Sequence, residues 1–370
     1  MATVIRSRKT LLLFAVILIL QVKAFAFYPG EKPPYNQQAE VLQEHISRLA
    51  EIQKNGGWQK LVLTKKQYVQ GETAPLIKQV KQRLQASGDY DAADTSQVFT
   101  PALNEAIKKL QYQFGFKENG VIDALLITAL NVPVHTRIQQ LQVNLDRVQM
   151  LAFADTGKRL VVNIPEYKLH VYENGNHVFD MAVVVGSEKN QTAVFDDEMT
   201  HIVFSPYWNV PQSIVENELL PAMRRNSRYL AANGYEQVGT ENGLPKIRQK
   251  PGRKNSLGQV KFLFPNDHDI YFHDSPAKTL YSHRTRAYSH GCVRLAEPAK
   301  LAAYLLKDDP KWTAGKIEAA MNAGKEEWVK LSMAVPVSII YLTAWVDGEG
   351  VLNFRDDVYG LDNTSAVAMK

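Results

Sequence analysis

Apolar positions along this chain recur first at helical spacing and then at every second residue, and the change of period divides it. Val41, Leu42, Ile46 and Leu49 make a helical stripe that stops at Asn55-Gly56-Gly57. In PLIKQVKQRLQASG, Leu76, Val80 and Leu84 lie four apart and the helix ends near Gly88. TPALNEAIKKLQYQFG offers Thr100 as N-cap, Pro101 at the first helical position, Leu103, Ile107, Leu110 and Phe114 inward, and Gly115 as stop. A third short helix is predicted from Asp123, a good N-cap, to Leu130, closed by Asn131 and Pro133. Residues 134–153 read as one connecting helix striped by Ile138, Leu141, Leu145 and Val148.

After Gly157 the period becomes two. Leu160, Val162 and Ile164 alternate with Val161 and Asn163, and Glu173-Asn174-Gly175-Asn176 between KLHVY and HVFDMAVVVG is a hairpin signal. HIVFSPYW, VKFLFP, DIYFHD, PVSIIYLTAWV and VLNF are further strands, with helices near Pro298–Leu306 and Thr313–Asn322. Between Trp208 and Val260 the chain is broken by Pro211, Pro221, Pro245 and Pro251 and carries a Ser213-x-x-Glu216 capping box, so an ordered lid is expected there. The fold class is multidomain α+β: a small three-helix module, then a β-rich domain with a capping insertion.

The N-terminus sets the compartment. Arg6, Arg8 and Lys9 precede an apolar run from Leu11 to Leu20, and Ala24-Phe25-Ala26 supplies small residues before a cleavage point, the pattern of a secretory signal peptide over 1–26. Ten apolar residues fall well short of the ~20 that span a bilayer, so no stable membrane span is expected after cleavage. Removing the signal takes four basic residues (Arg6, Arg8, Lys9, Lys23) and no acidic ones, leaving 39 basic against 38 acidic. That balance gives no electrostatic case for a nucleic-acid partner. The Pro-rich stretch PGEKPPY that follows reads as an extended leader.

Export sharpens the meaning of RAYSHGCVRL (286–295), because Cys292 is the one cysteine in 370 residues and cannot form an internal disulfide. A thiol attacks carbonyls as thiolate, so it needs a base or a positive field and N–H donors for the oxyanion that forms. His273, at the end of a predicted strand, lies 19 positions before Cys292, and His290 lies two before it. His273 has the better approach as base, with His290 shaping the turn or tuning the thiol. Gly291 suits a turn whose amides, with that of Cys292, point at an oxyanion. His45, His135, His170, His177 and His201 are read as structural.

Two resemblances follow from these residues. Arg83-Leu84-Gln85, then Phe99 to Gln111 and Gly120 to Asn131, resemble the peptidoglycan-binding domain family. His273-Asp274, with Ser289 15 positions after Asp274 opening S-H-G-C-V-R, resembles the signature of the L,D-transpeptidases, the YkuD-domain family. The long insertion looks like the capping subdomain of its YcbB-like members. The resemblance implies a cysteine acyltransferase that forms 3→3 cross-links between peptidoglycan stem peptides and releases D-Ala. It makes Cys292 the nucleophile and His273 the proton acceptor and donor, with Ser289, His290 and Gly291 the turn that helps form the oxyanion site. Arg294, Asp274, Tyr271 and Trp208 are expected on the substrate side. Arg294 has two readings, a carboxylate-binding guanidinium or a salt bridge pinning the loop; Asp274 either orients the base or faces solvent. The implied partners are a tetrapeptide donor and an amine acceptor, the implied compartment is the periplasm, and no cofactor or metal is implied.

The expected organisation is a signal peptide (1–26), a leader and helical segment (27–74), a peptidoglycan-binding-like domain (75–133), a connecting helix (134–157), a catalytic domain (158–355, capping insertion 208–260) and a tail (356–370). Three rival functions are a hydrolase resolving the same acyl-enzyme with water, a wall-binding protein with a decayed site, and a zinc hydrolase built on Asp267, His268, Asp269, His273, Asp274, His283 and His290.

Overall fold

The computed structural model describes residues 38–91, 93–151 and 156–363, so the signal peptide, the Pro-rich leader and residues 364–370 lie outside the described residues. Helix α1 (Gln38–Lys54) opens the chain, followed by β1 (Gln67–Tyr68), α2 (Pro75–Ser87), α3 (Pro101–Gln113), β2 (Ile122–Asp123), α4 (Ala124–Leu130) and α5 (Val134–Gln149). The caps read from the sequence are in place. The Thr100 hydroxyl accepts from the Leu103 amide, the Asp123 carboxylate accepts from the Leu126 amide, and Gly88 ends α2 at φ 77°. Helices α2 to α4 bury Ile77, Val80, Leu84, Leu103, Ile107, Leu110 and Leu126 in one small core, and β1 pairs with β2 at its edge.

Segment 27–74, expected as a leader and helical segment, serves two cores where it is described. Leu61 and Tyr68 belong to the helical module, whereas Leu42 and Ile46 of α1 pack with Val134, Ile138 and Leu141 of α5 against the β-rich unit. Helix α1 therefore completes a layer that covers the sheet.

The β-rich unit begins with β3 (Lys158–Asn163), β4 (Lys168–Glu173), β5 (Asn176–Gly186) and β6 (Phe195–Phe204). The insertion follows as β7 (Trp208–Asn209), α6 (Gln212–Ile214), a π-helical turn (Val215–Leu219), α7 (Leu220–Arg225), α8 (Tyr229–Ala232), β8 (Tyr235–Glu241) and β9 (Leu244–Gln249). Then come β10 (Val260–Leu263), β11 (Phe272–His273), β12 (Ala287–Ser289), β13 (Val293–Leu295), α9 (Pro298–Leu305), α10 (Ala314–Asn322), β14 (Glu327–Ile340), β15 (Ala344–Val346) and β16 (Leu352–Phe354). The main sheet runs β12-β5-β13-β11-β10-β6-β14-β3-β4, and β5 also pairs with β4, so the two ends of the order meet on β5. Both faces are covered. Leu160 and Val162 enter the core under α9 and α10, while Val161 enters the core under α1 and α5.

Three expectations change here. The capping box is absent: Pro211 is the N-cap of α6, which puts Ser213 inside the first turn, where it makes no capping hydrogen bond. The insertion is ordered, yet its frame is the three-stranded sheet β7-β9-β8, packed on Val210, Ile214, Val215, Leu219 and Ile247. Its hairpin turns at Asn242-Gly243, with φ of 53° and 79°, the same signal as Asn174-Gly175. Residues 356–363, expected as part of a tail, are packed: Tyr359 is buried and its hydroxyl donates to the Gly186 carbonyl at 2.7 Å, and Asp362 pairs with Arg147 of α5 at 2.8 Å. Among the described residues no helix is long and apolar enough to cross a membrane.

Candidate active site

Strand register decides which side chains meet. β11 runs parallel to β13, with Phe272 opposite Val293 and His273 opposite Arg294. Continuing that register one residue places Tyr271 opposite Cys292, so Tyr271, His273, Cys292 and Arg294 share one face while Phe272 and Val293 point into the core at 0% exposure. His273 and Cys292 are thus diagonal neighbours.

The turn that carries the thiol is stapled from within. The buried Ser289 hydroxyl donates to the Cys292 carbonyl at 2.6 Å and accepts from the Gly291 amide at 3.1 Å. Gly291 sits at φ 116°, a region that favours glycine, and its carbonyl accepts from the Thr192 hydroxyl at 2.7 Å. The Gly291 amide, expected at the oxyanion, is therefore taken by Ser289. The donors aimed at the sulfur are instead the main-chain amide and the hydroxyl of Tyr271. Trp208, on β7 of the insertion, donates in turn to the Tyr271 hydroxyl, since an indole nitrogen has no other role. Tyr271 and Trp208, expected to contact substrate, thus form a chain from the lid to the thiol.

Cys292 Sγ donates to the Asp269 carbonyl at 3.6 Å, and no hydrogen bond joins it to His273 among the described residues. Burial pushes the thiol up to about 11, against the Tyr271 hydrogen bonds that favour the thiolate. The buried His273 is pushed the other way, down to about 4, first by burial and then by the nearby Arg294 charge. His273 Nδ1 donates to the Asp274 carbonyl at 2.5 Å, and the Leu257 carbonyl also faces the ring. The resting pair is a neutral thiol beside a neutral imidazole.

The Asp274 carboxylate neither faces the cleft nor orients the imidazole. It is buried, accepts from the amides of Gln259 at 2.9 Å and Ser275 at 2.7 Å, and pairs with Lys278 at 2.6 Å. Arg294 forms no ion pair among the described residues, and its Nε is buried without a hydrogen-bond partner. That removes the loop-pinning reading and leaves a cation beside Cys292 and His273. His290 turns outward and pairs through Nε2 with Glu218 of the insertion at 2.9 Å. Of the zinc-hydrolase candidates, His268 lies against the Phe195 ring and His283 against the Tyr288 ring, at centroid separations of 5.1 and 5.9 Å.

Residues 157–317 match the family described as L,D-transpeptidase catalytic domain (YkuD), and residues 73–130 match that described as "Putative peptidoglycan binding domain". A "Putative L,D-transpeptidase" of Haemophilus influenzae is 30% identical over 240 residues, covering 60% of this chain and 48% of that protein. The chain thus spans about half the length of this curated relative. Among solved structures, the L,D-transpeptidase of Stackebrandtia nassauensis is 15% identical, with 74% of this chain and 94% of that one covered and a TM-score of 0.29. The L,D-transpeptidase from Mycobacterium smegmatis is 14% identical, with 50% and 58% covered and a TM-score of 0.28.

Proposed function

From a chain that carries a YkuD-type L,D-transpeptidase catalytic domain at residues 157–317 and a domain of the peptidoglycan-binding family at 73–130, we propose an exported, periplasmic transpeptidase that works through Cys292. Its donor is a tetrapeptide stem and its product a 3→3 cross-link. The observation that carries this reading is the shared face of Tyr271, His273, Cys292 and the unpaired Arg294 beneath an ordered insertion.

The resting groups are neutral, so the thiol must lose its proton during attack. Rotation about χ1 carries Sγ from the Asp269 carbonyl toward His273. The imidazole takes the proton as sulfur bonds to the diaminopimelate carbonyl carbon, and the oxyanion meets the Tyr271 donors. His273 returns the proton to the departing D-Ala nitrogen, leaving a thioester. The side-chain amine of a second stem attacks it, gives a proton back through His273 to sulfur, and the isopeptide bond closes. Arg294 supplies positive charge for a substrate rich in carboxylates. The lid, tied to the turn by His290–Glu218 and to the thiol by Trp208–Tyr271, keeps water from the thioester.

The test is incubation of the purified protein with tetrapeptide muropeptides. Mass spectrometry is expected to find 3→3 dimers and free D-Ala, both lost in Cys292→Ser. Dimers from the variant would overturn the thiol mechanism, and tripeptide without dimers would assign the domain to hydrolysis.

A further inference from the structure

The β4–β5 hairpin holds a group of side chains that the proposed reaction does not use. His170 on β4 pairs in register with Asp180 on β5. His177 is three residues before Asp180, a separation that would put it on the opposite face of a regular strand. The register shifts between Val171 and Tyr172, where Val178 is the extra residue, and this bulge turns His177 back onto the face of His170 and Asp180. His170 Nδ1 lies 2.7 Å from Asp180 Oδ1, His177 Nε2 contacts the same oxygen, and one donor atom from each of the three residues falls within 4.8 Å of the others. On its far side His170 Nε2 meets the buried Glu166 carboxylate at 2.8 Å, which Lys168 also contacts at 3.2 Å.

The geometry points to a binding site for a first-row divalent cation of the zinc class, held by His170 Nδ1, His177 Nε2 and Asp180. Two imidazoles and one carboxylate suit Zn²⁺ or a neighbour in the transition series and not Mg²⁺ or Ca²⁺, which take oxygen ligands. Glu166 supplies the outer partner that ligating histidines ordinarily have, a carboxylate on the second ring nitrogen that fixes the tautomer and the plane. Around a tetrahedral ion with bonds of about 2.0–2.1 Å the ligand atoms stand roughly 3.3 Å apart. Binding therefore spreads the His170–Asp180 pair by about 0.6 Å and draws the two imidazoles together, movements that fall to the partly exposed His177 and Asp180 while the buried His170 stays in place.

The site is separate from the thiol. Ser289 pairs with Gly186, six residues along β5 from Asp180, which is about 20 Å of strand. Its place suggests a clip on the scaffold: Arg286, just before β12, donates to the carbonyls of Glu166 at 3.5 Å and Tyr167 at 3.0 Å, so the turn carrying Glu166 also braces the approach to the catalytic turn.

Calorimetric titration of ZnCl₂ into the full chain carrying Cys292→Ser, which removes the competing thiol, should show one saturable site. At least tenfold weaker binding is expected for His177→Ala and for Asp180→Asn, with far-UV circular dichroism preserved. Should either variant fold poorly, Co²⁺ added to the parent chain gives a second readout, visible d–d bands that excess Zn²⁺ displaces. No saturable uptake by the parent, equal affinity in both variants, or Co²⁺ without bands would each overturn the site.

Discussion

A thiol held neutral should be slow to alkylate at physiological pH and should speed up without a plateau as pH rises. Burial places Cys292 at about 11, two units above its ordinary 9.0. At pH 8 about one thiol in a thousand is then ionised, against about one in ten for a free cysteine, a hundredfold deficit. A more basic thiolate is the better nucleophile, and a Brønsted slope of about 0.4–0.5 returns roughly eightfold over two units. The net expectation is alkylation about tenfold slower than free cysteine at pH 8, with the rate rising about tenfold per pH unit from 7 to 10. Iodoacetamide labelling of the native chain followed by intact mass measures this, because Cys292 is the one cysteine. His273→Gln should leave the rate at pH 10 within a few fold while abolishing transpeptidation, since alkylation draws on the thiolate fraction that pH sets, whereas attack on an amide carbonyl also needs a proton carried to the leaving nitrogen. A rate that levels off below pH 8, or exceeds free cysteine at pH 7, would refute the neutral pair and establish a preformed thiolate–imidazolium.

Tyr271→Phe removes a hydroxyl that stabilises the thiolate; a hydrogen bond to a charge contributes about 1.5–3 kcal/mol, so after the same Brønsted offset labelling at fixed pH should fall by roughly four- to fifteenfold. His273, brought down to about 4 by burial and Arg294, leaves the unfolded chain binding the extra proton between pH 6.5 and 4. Stability should therefore drop through that window on acidification, by roughly 3 kcal/mol at most, and urea midpoints for His273→Gln should lack that component. Gly186→Ala would bring a Cβ to 2.1 Å from the Asn190 carbonyl and 2.6 Å from the Thr192 amide, both main chain, and so shift the Thr192 bond to Gly291. Acylation should fall by about a hundredfold, read by mass after muropeptide exposure. Lys81→Met removes a fully buried ammonium that bonds Asp94 and the carbonyls of Ser96 and Val98; the helical module should lose about 2–4 kcal/mol, read as hydrogen-exchange protection of the α2 and α3 amides.

The helical half was the most legible because its signals are local. Thr100, Asp123 and Gly88 act within one turn of themselves, so propensity and capping chemistry suffice. Strand β14 was less so: it starts at Glu327, well before the apolar PVSII, because its first half carries exposed residues such as Trp328 and Met333 on an edge that hydropathy does not mark. The insertion was legible as ordered but not as a sheet, although Asn242-Gly243 carried the same hairpin signal as Asn174-Gly175. Phe114, expected wholly inward, is only partly buried because its ring also stacks toward Phe354 of the β-rich unit at 6.0 Å, a contact no single-element pattern contains. Asp356 to Asn363 looked like a tail for the same reason, since their partners lie far upstream.

The candidate site shows where such reasoning stops. Residue type and spacing singled out Cys292, His273 and the Ser289–Gly291 turn, because nucleophile, base and turn chemistry are properties of single side chains. What each one touches depends on register. In the proposed reaction the oxyanion donors are those of Tyr271, because the Ser289 hydroxyl occupies the Gly291 amide. Asp274 serves through its main-chain carbonyl while its carboxylate holds Gln259, Ser275 and Lys278. The turn itself hangs on the chain's far end: Tyr359 donates to Gly186 and accepts from Thr192, and Thr192 holds Gly291. These are contacts across 99, 167 and 173 residues, and the fold, not the local motif, sets the position of the thiol to within a hydrogen bond. Substitution at Tyr359 should therefore disturb acylation more than any change confined to the exposed face of His290, whose partner Glu218 is as solvated as itself and contributes under about 1 kcal/mol.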